Sequence, residues 1–185
     1  YSGQYQKAKL MWERYISLDK DELRLQEVRE QLDAISEQVD YEEGVNYLNR
    51  GDFAKALPKL SQLASKYKKS WNINYMTGLA LKGLGEHEEA IEYFCEAINL
   101  GGDDADLYNE LGISLFTIGN INEAIDIFSK GIELYKGDYK LFFNRGLSYL
   151  QLGNLKKAKE DIYTAYNLNP NDESILSIIE NIENI

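Results

Sequence analysis

The sequence predicts an all-α solenoid of stacked helix–turn–helix units, and three observations predict it. First, Gly44, Gly78, Gly112 and Gly146 recur with a 34-residue period, as do Gly51, Gly85, Gly119 and Gly153, and Ala56, Ala90, Ala124 and Ala158. One period held in three independent columns marks a repeat architecture. Second, the stretch after each turn glycine carries apolar residues at i, i+3 and i+7, as in Ile91, Phe94, Ile98 and Ile125, Phe128, Ile132. That is the spacing of one helix face. Third, the 185 residues are 44% hydrophobic and 28% charged, with 14 Gly and only 2 Pro. This is near average globular usage, with material for a core, and no run of 18 apolar residues could span a bilayer.

The elements follow from the N-terminus. Gly3 to Ala8, with Trp12, Ile16 and Leu18, matches the turn and second helix of one repeat, so residues 1–20 are expected to be a half repeat. Its first helix would lie upstream of Tyr1, which predicts that the chain is an excerpt of a longer protein. Residues 21–36 are inserted relative to the 34-residue rhythm. Leu25, Val28, Leu32, Ile35 and Val39 space as one stripe of an amphipathic helix, which can run on into the first helix of the 37–70 copy and packs against a neighbouring helix of the same chain. Four copies then fill 37–172, at 37–70, 71–104, 105–138 and 139–172. In each, the glycine of the 51/85/119/153 column lies just past the first helix, where a left-handed residue is required. Asp52, Asn120 and Asn154 follow as candidate caps of the second helix. The other glycine column and the alanine column fall inside helices, where Gly costs about 1 kcal/mol relative to Ala. Their recurrence predicts helices packed too closely for larger side chains. Pro58 inside the first copy's second helix cannot donate to the carbonyl of Ala54, which predicts a kink. Residues 173–185, with Ile175, Leu176, Ile178, Ile179, Ile182 and Ile185, read as a helix capping the last unit.

Composition and motifs exclude several functions. A net charge of −11 disfavours nucleic acid and anionic lipid as partners. One Cys permits no internal disulfide and favours a reducing, cytoplasmic setting. One His with one Cys argues against zinc sites and Cys–His nucleophile pairs. His87 takes a turn position held elsewhere by Phe53, Ile121 and Leu155, and Ile91 stands where a zinc protease helix needs a second histidine. Cys95 has no adjacent His or basic cluster to lower its pKa. Asp103, Asp104 and Asp106 resemble a calcium loop only at its start, because the ligand alternation fails at Tyr108 and the turn glycine is Asn109. They suit the start of a helix instead. Phosphate-cradling loops and nucleophile elbows are absent from the sequence. The prediction is a non-enzymatic protein without metal or cofactor.

Tyr108-Asn109-Glu110-Leu111-Gly112, Asn120 to Ile125, and Asn167-Leu168-Asn169-Pro170 carry a family resemblance. The chain resembles a tetratricopeptide repeat array. That resemblance implies a right-handed superhelix whose first helices line a concave groove. Within those helices, the 3.6 period turns one set of positions toward the groove. They are Asn72, Tyr75, Met76, Leu79 and Lys82; Asp106, Asn109, Glu110, Ile113, Phe116 and Thr117; and Lys140, Phe143, Asn144, Leu147, Leu150 and Gln151. This face is aromatic and apolar along its middle, as protein contact surfaces are. Chaperone-adaptor members of the family clamp a C-terminal carboxylate with Lys, Asn and Arg. Here those positions hold Tyr75, Leu79, Glu110, Lys140 and Asn144, of which only Lys140 fits, and other registers fail similarly. The implied function is a scaffold or adaptor that binds a hydrophobic protein or peptide segment, with a modest preference for Lys and Arg because of Asp106 and Glu110. The alternative is self-association through the terminal helices.

Overall fold

The computed structural model describes residues 2–18 and 22–184. Tyr1, Asp19 to Asp21 and Ile185, which the expected half repeat, insertion and C-terminal helix include, lie outside the described residues. Among the described residues there are ten α-helices and no strand: α1 (Ser2–Leu18), α2 (Glu22–Asn49), α3 (Phe53–Lys66), α4 (Trp71–Leu84), α5 (His87–Asn99), α6 (Ala105–Thr117), α7 (Ile121–Leu134), α8 (Tyr139–Gln151), α9 (Leu155–Leu168) and α10 (Glu173–Glu183). Each packs against the next in the chain, and α2, α4, α6 and α8 also touch one another directly. The result is an all-α helical repeat solenoid.

The glycine and alanine columns explain the close helix pairing. The alanines Ala56, Ala90, Ala124 and Ala158 are completely buried. Opposite the in-helix glycines stand Leu60, Phe94, Phe128 and Ile162 of the following helices, themselves buried and spaced at the repeat period. A Cβ on Gly112 would lie 2.3 Å from the Phe128 ring, and one on Gly146 would lie 2.7 Å from Ile162. The turn glycines are left-handed, with φ between +73° and +87° at Gly51, Gly85, Gly119 and Gly153.

Two local expectations change, at Gly3 and at the helix caps. Helix α1 already includes Gly3, so that residue lies in helix rather than in a turn. The inserted residues continue without a break into the first helix of the next unit, making α2 a single helix of 28 residues. Pro58 lies inside α3, which continues past it to Lys66. Among the expected caps, Asn154 accepts from the Lys157 amide, but the Asp52 and Asn120 side chains make no capping hydrogen bond. The recurrent caps stand instead before α4, α6, α8 and α10, at Ser70, Asp104, Asp138 and Asp172, again spaced at the repeat period. Each accepts from an amide of the first turn, an otherwise unsatisfied donor of the helix end.

At the C-terminal end, Ile175 and Ile182 of α10 are buried with Ala158, Ile162 and Ala165 of α9. At the other end, Leu25, Val28 and Val39 of α2 are buried. Helix α1 leaves Leu10, Met11 and Leu18 between 66% and 73% exposed.

Candidate functional site

Because α2, α4, α6 and α8 touch one another, they form the inner face of the stack. Two apolar hollows open between them. The first, about 340 Å³, lies between α2 and α4 and is lined by Val45, Leu48, Asn49, Tyr75, Met76, Leu79, Lys82 and Gly83, with Phe53 from the start of α3. The second, about 210 Å³, lies between α6 and α8 and is lined by Ile113, Phe116, Asn144 and Leu147 over Phe128 of α7. Four lining positions correspond two repeats apart: Val45 with Ile113, Leu48 with Phe116, Met76 with Asn144, and Leu79 with Leu147, each pair separated by twice the repeat period. The glycines shape both hollows. A Cβ on Gly83 would meet the Phe53 ring at 2.4 Å, so its absence lets that ring seat beside the first. Gly112 does the same for Phe128 beneath the second.

The polar residues of this face bond to one another across neighbouring helices. The Asn72 side-chain amide donates to the Tyr41 hydroxyl at 3.4 Å, and that of Asn144 donates to Asn109 Oδ1 at 2.7 Å. Lys82 pairs with Glu110, and Lys140 Nζ donates to Asp106 Oδ1 at 2.9 Å. The hydrogen bond to Asp106 raises the Lys140 pKa against the opposing effect of burial. Burial, followed by the negative fields of Glu110, Asp106 and Asp104, pushes the Tyr75 phenol well above its ordinary pKa, so it stays protonated. Asp106 and Glu110 therefore do not stand as free negative charge, because each faces a lysine of the adjacent first helix.

The other sequence-predicted groove residues are placed differently. Asn109 is buried beneath its bond to Asn144. Phe143 and Leu150 pack toward the C-terminal core cluster with Ile162 and Ile175. Thr117 and Gln151 are exposed, the Thr117 hydroxyl donating to the Ile113 carbonyl. The sequence reading missed Val45, Leu48, Asn49 and Gly83, although the 34-residue register applied to Leu79, Lys82 and Thr117 finds them. It missed Phe53 and Phe128 because they belong to second helices.

Among the described residues no three His, Cys, Asp or Glu converge as a metal site. Cys95 is exposed, and its thiol is held above the ordinary value by partial desolvation and by the charge of Glu123. Each carboxylate of the Asp103–Asp106 stretch is engaged: Asp103 by the Tyr135 hydroxyl, Asp104 by the Asp106 amide, and Asp106 by Lys140. A further hollow of about 360 Å³ lies beside the long α2, where Glu37 is bonded by Lys66 and Tyr67. Among the described residues no helix is long and apolar enough to cross a membrane.

Comparison with known proteins agrees with this architecture. No curated protein matches the sequence. Among solved structures, YrrB, described as a TPR protein with an unusual peptide-binding site, is 21% identical with a TM-score of 0.74, over 97% of this chain and 88% of that one. MamA from Desulfovibrio magneticus RS-1 is 22% identical with a TM-score of 0.69, over 75% and 78%. The first TPR of Spaghetti (RPAP3), bound to the HSP90 peptide SRMEEVD, is 18% identical with a TM-score of 0.60, over 62% and 91%. At these identities the likeness establishes the fold. The tetratricopeptide repeat models match residues 41–106, 105–138 and 139–172, which together cover more than half of the sequence. With glycine and alanine columns that pack as paired helices over those same residues, the chain belongs to the tetratricopeptide repeat family.

Proposed function

We propose that this protein is a non-enzymatic interaction module that binds a hydrophobic segment of another protein along the inner face of its first helices. One observation carries the reading. The apolar residues of that face line two open hollows, while Asn72, Lys82, Asp106, Asn109, Glu110, Lys140 and Asn144 are paired across neighbouring first helices. Such a surface gains by burying apolar side chains and loses little polar hydration in doing so. It has the composition of an interface core with anchor pockets.

The ion pairs of the inner face alter the expected charge preference. Lys82 and Lys140 balance Glu110 and Asp106, so the groove itself is neutral. A preference for Lys or Arg in the ligand then rests on the chain's net charge of −11. It would show mainly as a salt-sensitive association rate. The acidic peptide held by the RPAP3 repeat is a poor guide to this chain, because Lys140 is the only clamp residue present and Asp106 already engages it. On this reading residues 37–172 are four working repeats, 1–20 contribute the second helix of a further unit, 21–36 extend the first working repeat, and 173–185 cap the stack. The sole cysteine suits a cytoplasmic setting, and the acidic surface disfavours nucleic acid.

A library of random 12-residue peptides selected on the full chain tests this. Peptides with large apolar residues should be enriched, and Phe116→Ala or Leu48→Ala should weaken the selected peptides about tenfold or more at unchanged helicity. Selection of acidic peptides, or equal binding by both variants, would remove the groove from consideration. The exposure of Leu10, Met11 and Leu18 on α1 favours a second reading, self-association through a terminal helix. Light scattering would show dimers that Met11→Asp disperses. A monomer at every concentration would reject it.

A further inference from the structure

The two hollows use the same positions of the repeat, and between them lies a third copy of those positions with different chemistry. Where the outer copies carry Leu48 and Phe116, the middle copy carries Lys82. Where they carry Met76 and Asn144, it carries Glu110. Lys82 and Glu110 pair with each other across α4 and α6, so the middle site is filled by an ion pair. We infer that the groove selects an extended segment with two large apolar side chains at i and i+6, joined by a short uncharged stretch that crosses the ion pair. This rests on the proposed peptide-binding function and specifies its ligand.

The spacing follows from helix packing. First helices in contact lie roughly 8–10 Å apart, so two repeats separate the hollows by roughly 16–20 Å. A strand rises about 3.3 Å per residue, and a polyproline II segment about 3.1 Å. Six residues therefore span about 19–20 Å. Six is also a multiple of both the strand period of two and the polyproline period of three, so i and i+6 point to the same side in either conformation. A helix would need about 11–13 residues to cover 16–20 Å, and of these i+11 returns to the same helix face.

The ion pair favours the extended form. Glu110 accepts hydrogen bonds and Lys82 donates them, and an extended main chain offers one N–H and one C=O per residue to meet both. A helix has already used those groups internally. An acidic or basic residue in the middle would meet one like charge as closely as one opposite charge, so the crossing stretch is uncharged.

The test uses the full chain and acetylated, amidated peptides with two leucines separated by Ser, Asn and Gln, the leucines placed at i with i+3, i+4, i+6, i+9 or i+11. Affinity should peak at i+6 and fall about tenfold or more when either leucine becomes Ser, or when the spacing is i+3. The variant Lys82→Leu/Glu110→Met copies Leu48 and Met76 into the middle site, and it should gain binding to the i+3 peptide. If leucine peptides bind regardless of spacing, or best at i+11, the two-anchor inference is wrong while peptide binding stands. If none binds at any spacing, peptide binding by the groove fails as well.

Discussion

Gly112 lacks a side chain because Phe128 occupies the place where one would be. The ring is buried among the completely buried Ala124 and Leu141, so it cannot swing aside. Gly112→Ala should overpack this contact, lowering stability by about 1–3 kcal/mol in urea denaturation. An unchanged midpoint would mean that the helix pair separates freely. Glu43 supports a pH prediction. The hydrogen bond from Lys59 holds its carboxyl below the ordinary carboxylate value, assisted by the Gln6 amide and opposed by burial. A depressed folded pKa contributes stability above the unfolded value of about 4.3 and loses it as the pH falls through the folded one. Wild type should therefore exceed Glu43→Gln in stability at pH 6, and the gap should shrink as the pH falls below the unfolded value. A gap that does not change as the pH falls would assign the effect to packing.

Helix pairing shows a pattern that reads only across repeats. Glu43 and Lys59 join α2 to α3, with Lys59 also 2.8 Å from Asp40. At the corresponding positions three repeats later, Arg145 donates to Asp161 from Nε and Nη2, at 2.7 and 2.8 Å, and from Nη1 to Ser129 of α7. The same contact is thus ionic in the first and last units with its polarity reversed, while the third unit uses Leu111 and Ile127. Arg145→Leu alone would leave the buried Asp161 without its partner and should cost about 3–5 kcal/mol. Arg145→Leu/Asp161→Ile copies the third unit and should return close to wild-type stability. If the double variant is as unstable as the single one, the pair specifies the contact in a way an apolar pair cannot replace. The helices themselves were legible in the sequence, because a 34-residue period and a 3.6-residue stripe are local regularities that Gly, Ala and Phe columns display directly. The caps were less so: Asp52 and Asn120 are suitable residue types, yet their side chains do not reach the free amides. Side-chain pairing between helices was not legible either. Lys82 with Glu110 and Asn144 with Asn109 lie 28 and 35 residues apart, and spacing alone does not say that such side chains meet.

At the scale of the whole molecule, the stack separates two roles. Buried columns between first and second helices hold each unit together, and contacts between first helices build a continuous inner face that is apolar, internally paired and open. The repeat register places eight of the expected inner-face residues at the two hollows. Tyr75, Met76, Leu79, Lys82, Ile113, Phe116, Asn144 and Leu147 line the hollows, whereas Phe143 and Leu150, partly buried against the C-terminal core, line neither. A single repeat register cannot distinguish those outcomes, because helix α10 replaces a fifth repeat and gives the last unit a different neighbour. The central claim, that the inner face is the binding surface, is tested most directly by amide chemical-shift mapping of the full chain titrated with a selected apolar peptide. Shifts should concentrate on α2, α4, α6 and α8 around Leu48, Leu79, Ile113 and Leu147. Shifts confined to α1 near Met11, or to the second helices α5, α7 and α9, would contradict it.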